Sequence, residues 1–114
     1  MSMPGASDFG VMLTTTPSRE EAQKIAKLLI AEKLAACVQL LPIESFYTWQ
    51  EKTQNEAEIL LLIKTRTALF DAATARIKAI HSYTVPEIVA LPFVAGFQGY
   101  FDWIGQMTTA PPSF

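Results

Sequence analysis

Apolar positions along this chain switch between a period of two and a period of three to four, and the switches divide it into elements. Phe9 to Thr15 reads as a short strand that stops at Thr16-Pro17. Ser18 follows as a helix cap, and Glu21 three positions on completes a capping-box signature. Ala22, Ile25, Ala26 and Leu29 then recur at i, i+3, i+4 and i+7, with Gln23, Lys24 and Lys27 on the other side, which predicts an amphipathic helix. Ala36 to Trp49 is rich in β-branched and aromatic residues and predicts a second strand. Within it Pro42 lacks a ladder donor, so it implies an edge position or a bulge, and a bend. Gln50 to Glu56 is polar and reads as turn. Glu58 to Thr65 carries Ile59-Leu60-Leu61-Leu62-Ile63, an unbroken apolar run that predicts a strand buried on both faces.

Thr67 is placed to cap a second helix, whose apolar residues Phe70, Ala73, Ile77 and Ile80 keep helical spacing as far as His81. The chain leaves the helix over Ser82 to Val85, because the residue before Pro86 disfavours helical dihedrals. Glu87 to Val94 reads as a fourth strand. Gly96 precedes a short helix with Tyr100, Phe101, Ile104 and Met107 on one side. The order β-α-β-β-α-β with an added C-terminal helix predicts an α+β, ferredoxin-like split β-α-β sandwich. Two helices can cover only one face of its sheet. The run at Ile59–Ile63 therefore requires the C-terminal helix or another chain over the open face, and a homo-oligomer is expected.

Composition sharpens that expectation. The 114 residues allow one domain, placed at 8–108 between loose tails at 1–7 and 109–114. The chain is 50% hydrophobic and 18% charged, below the quarter or so that is usual, so some apolar surface is expected to meet another subunit. A net charge of −2 without a Lys/Arg cluster argues against nucleic-acid and anionic-membrane partners. The single cysteine forms no internal disulfide, and neither a secretory segment nor a membrane-length apolar run is read in the sequence, so a cytoplasmic location is expected.

Catalytic chemistry is thinly represented, and no catalytic residue is assigned. Cys37 sits mid-strand among apolar residues, where it reads as a small buried side chain. His81 is the one borderline-soft nitrogen ligand, and it reads either as a helix-terminal residue or as a metal ligand. One His and one Cys cannot close a tetrahedral site in one chain, so a metal there would be completed by water or a second subunit. Lys64 and Glu87 each lie at or near the end of an apolar strand, where an isolated charge is costly. They are expected to share an intersubunit cleft with Tyr83 and Trp49 that takes a small polar or anionic ligand; a structural ion pair is the alternative. Tyr47, Trp49 and Trp103 read as interface and core aromatics rather than a platform for bases.

Several segments together resemble the CutA divalent-cation tolerance family: Thr15-x-Pro17, Leu34-Ala35-Ala36-Cys37-Val38, Ser45-x-Tyr47-x-Trp49, Lys64-Thr65 and Tyr83-x-x-Pro86-Glu87-Ile88. The resemblance implies a homotrimer of ferredoxin-like subunits, similar to PII-type signalling trimers, with a role in tolerance of copper and other divalent metals. The copper ligands it implies, a first-strand cysteine and adjacent histidines, fall on Thr14, Ile80 and His81. Any copper bound in that mode is thus expected to be weak and held through His81. The expected function is a non-enzymatic binding or signalling module. A small enzyme working through Lys64, Tyr83 and Glu87 and a scaffold for a protein partner are the alternatives.

Overall fold

The computed structural model describes residues 4–109. Its elements are β1 (Phe9–Thr16), α1 (Arg19–Ala31), β2 (Cys37–Trp49), β3 (Lys52–Arg66), α2 (Phe70–Ile80), β4 (Ile88–Pro92) and α3 (Gln98–Met107). The four strands form one sheet in the order β2-β3-β1-β4, and each of its three pairings is antiparallel. This is the expected ferredoxin-like α+β arrangement. Ser18 caps α1, its hydroxyl accepting from the Glu21 amide at 3.2 Å. Thr67 does not cap α2; a 3-10 turn over Thr67–Leu69 leads into that helix instead.

Period two sorts the sheet into two faces. Met12, Leu61 and Ile63 point to the helices and close over Ala22, Ile25 and Leu29 of α1 and Ala73 and Ile77 of α2, all fully buried. Gly10 lies on the same face. A Cβ there would run into the Leu91 carbonyl and the Phe70 ring, so the close approach of β4 and α2 requires glycine. The opposite face carries Val11 and Leu13 of β1, Leu60 and Leu62 of β3, and Val89 and Leu91 of β4, set side by side by the register. Only one end of it is covered, where Phe101 and Ile104 of α3 pack on Phe9 with stacked Phe9–Phe101 rings at 5.6 Å. Leu60 and Leu62 are half-buried and Leu91 is 58% exposed. The run Ile59–Ile63 is therefore buried on one face and only half covered on the other within the chain.

The segment expected as turn at Gln50–Glu56 is mostly strand. β3 begins at Lys52, and only Gln50 and Glu51 form the turn, both with positive φ (51° and 67°). The partners of β1 on β3 end at Ile59, whereas β2 stays paired down to Lys52. Beyond Pro42↔Ile59 the two strands thus run on as a ribbon with no third strand, and the molecule is 53 Å long but only 25 by 23 Å across. With no layer packed on it, the ribbon has no alternation of apolar and polar residues, which is why 52–57 read as turn. Pro42 lies on β2, an edge strand, in unbroken register.

At the N-terminus, where a loose tail was expected over 1–7, Ala6–Asp8 forms a 3-10 turn in which the Gly5 amide donates to Asp8 Oδ2 at 2.8 Å. The Gln98 side chain donates to the Pro4 carbonyl at 3.2 Å. Residues 1–3 and 110–114 of the expected tails lie outside the described residues.

Candidate functional site

Where the ribbon leaves the sheet, it faces the segment that follows α2. Between them lies a cavity of about 690 Å³ whose walls include Tyr47, Trp49, Glu56, Glu58, Tyr83 and Glu87. Register explains the composition of its floor. Residues 54, 56 and 58 alternate onto one side of β3, and their partners Tyr47, Ser45 and Ile43 occupy the same side of β2. The other wall is set by the exit from α2. Helical dihedrals end at His81 (φ −75°, ψ 140°), and Ser82 to Glu87 bring Tyr83 and Glu87 to the cavity.

Tyr83 is anchored at both ends. Its hydroxyl donates to Glu58 Oε2 at 2.8 Å, and its amide donates to His81 Nδ1 at 3.0 Å. Burial, then the hydrogen bond and charge of Glu58, hold the Tyr83 phenol well above the ordinary tyrosine value. Tyr47 is raised too, by desolvation first and then by Glu56 and Glu58. A neutral phenol is thus favoured on both rings beside carboxylates.

His81 has a fully buried side chain and a task for each ring nitrogen. Since Nδ1 accepts from Tyr83, Nε2 carries the proton and donates it to the Thr15 carbonyl at 2.8 Å. Glu21 lies 3.5 Å from Nδ1 and accepts from the Ser82 amide at 3.0 Å. His81 therefore joins β1 to the loop that carries Tyr83, and in this geometry it offers no free lone pair to a metal.

Of the expected cleft residues, Trp49, Tyr83 and Glu87 come together on one cavity. Lys64 does not join them within the chain. It pairs in register with Cys37 and Val11, six positions up β3 from Glu58, and its ammonium donates to Gln39 Oε1. Within one chain, therefore, Lys64 is absent from the cavity that Glu87 lines. What takes its place is an acidic group, Glu56 and Glu58 with Glu87. Glu58 was legible as a charge bordering the apolar run Ile59–Ile63, but Glu56 fell inside the segment read as turn.

The comparisons decide the family. Residues 10–107 match the model of the family described as CutA1 divalent ion tolerance protein. The chain belongs to the CutA1 family. A divalent-cation tolerance protein CutA of Thermus thermophilus is 50% identical over 99 residues, covering 86% of this chain and 96% of that one. The chloroplastic protein CutA 1 of Oryza sativa is 48% identical, and the chain spans 56% of its length. Among solved structures, CutA1 from Oryza sativa superposes with a TM-score of 0.87 at 45% identity, over 90% of this chain and 95% of that one. CutA from Xylella fastidiosa does so with 0.88 at 38%, over 90% and 100%.

A divalent metal does not fit the three positions that the family resemblance marks. Thr14 Oγ1 is buried without a hydrogen-bond partner among the described residues, Ile80 packs against the core, and both His81 nitrogens are engaged. No group of three or more His, Cys, Asp or Glu side chains is arranged to hold a metal among the described residues.

Proposed function

We propose that this chain serves divalent-cation tolerance as a non-enzymatic binding or signalling module, assembled as a homotrimer, whose ligand groove lies beside a subunit contact. The ribbon carries this reading. A two-stranded ribbon is marginal alone in water, and this one exposes Phe46 (68%) and Trp49 (53%) beyond a sheet whose open face bears Leu41, Val89 and Leu91. Another copy that covers that face and grips the ribbon would also wall the groove. The relatives' names supply the physiological setting, and the single free cysteine suits the cytoplasm as its location. Metal response would then run through the groove or a partner rather than through chelation at His81.

Sedimentation equilibrium should give a trimer at micromolar concentration; a folded monomer there would overturn the assembly. Cells deprived of the chain should become sensitive to added copper and recover when it is restored, and unchanged tolerance would overturn the physiological reading.

A further inference from the structure

The groove is charged with one sign only. Glu56, Glu58 and Glu87 line it, and no lysine or arginine does among the described residues. Glu58 is the informative member because it is 8% exposed. Its Oε2 is held by the Tyr83 hydroxyl, a neutral donor, while Oε1 receives no hydrogen bond and no basic group lies within 4.0 Å among the described residues. A carboxylate this enclosed is costly without a counter-charge.

The missing charge has a shape. Glu56 and Glu58 sit two positions apart on one side of β3, so their carboxylates rise from points about 6.6 Å apart. Tyr47 and Trp49 stand alongside on β2 and supply ring faces, which attract ammonium groups and cover methylenes. Because no cluster among the described residues is arranged for metal coordination, a bare divalent ion is the poorer match. The lining carboxylates repel an anion.

We propose that the groove binds a linear aliphatic diamine or polyamine, with one ammonium on Glu58, the next on Glu56, and the methylene stem along Tyr47 and Trp49. The proposal rests on the groove being the ligand site. The competing occupant is a basic side chain from a second copy, such as Lys64, which has no carboxylate partner among the described residues of its own chain.

Titration calorimetry on the full-length assembled protein at low salt tests this with diaminobutane, butylamine and magnesium chloride. Diaminobutane should bind saturably, and losing one charge-assisted contact, by Glu56→Gln or by use of butylamine, should weaken binding roughly tenfold. Glu56 is exposed, so its substitution leaves the Tyr83 contact in place. Glu58→Gln should abolish binding, and magnesium should not compete at equal concentration. In a Trp103→Phe background the fluorescence of Trp49 should respond to diaminobutane. Binding that is absent, or unchanged in both glutamine variants, overturns the polyamine assignment; recovery of diaminobutane binding in Lys64→Met alone would give the place to the second copy's lysine. If anions or neutral solutes shift Trp49 fluorescence where diaminobutane does not, the groove survives as a ligand site and the cation is wrong. If no solute shifts it, the ligand-site reading itself fails.

Discussion

At His81 two uses of one imidazole compete, and hydrogen bonding wins. The ring supplies a donor to Thr15 and an acceptor to Tyr83, both on the backbone, so His81→Ala leaves buried polar groups unpaired. That substitution should cost roughly 1–3 kcal/mol in urea unfolding and leave copper calorimetry of the protein unchanged. Thr14 is the opposite case. Its hydroxyl is buried with nothing to bond among the described residues, so Thr14→Val should raise stability by about 1 kcal/mol in the same measurement. Tyr83 adds a pH dependence whose sign follows from its raised pKa. The stability it contributes is fully present below about pH 10, the ordinary tyrosine value, and is lost as pH rises through the higher folded value. Urea midpoints should therefore fall on the alkaline side, and Tyr83→Phe should flatten that fall; an equal slope in both proteins would contradict it. The sequence made His81 and Tyr83 conspicuous as residue types. It could not show the partners, because a carbonyl or an amide is offered by every residue and only the fold selects which.

Among the elements, the helices were the most legible, since each has one covered face and so keeps the 3.6 period. α1 is bounded by the Ser18 cap and by Lys33 at φ 58° just past its end. Glu21, which would close the capping box, instead reaches the Ser82 amide, a use no local pattern could disclose. The ribbon was the least legible because no helix or further strand packs on it among the described residues, and alternation is a mark of packing. Its turn is a two-residue connection with both φ values positive, a conformation that favours glycine, yet Gln50 and Glu51 hold it. Glu51→Gly should therefore stabilise the hairpin by roughly 0.5–1 kcal/mol, read as a higher thermal midpoint. No gain would mean that the left-handed turn is not strained by its side chains.

At the scale of the whole molecule, 50% hydrophobic composition announced more apolar surface than one chain this size can hide, and the open face of the sheet is where it went. If copies cover that face, unfolding is tied to dissociation, so the thermal midpoint should rise with protein concentration. A midpoint independent of concentration over a hundredfold range would contradict the coupling. Lys64 and Glu87 are separated within the chain at this scale too, since strand order and register put the two residues at different ends of the sheet, and neither is readable from which residues are apolar. Strand order carries one more consequence, for synthesis. β1 is made first but lies between β3 and β4. As the chain emerges, residues 9–16 wait with both edges open, while β2 and β3 zip together locally across their short turn. Only when residues 88–92 appear can β4 pair with β1 and seal the second edge, so the interval between making the first strand and the last is when a nascent chain is most open to pairing with the wrong neighbour.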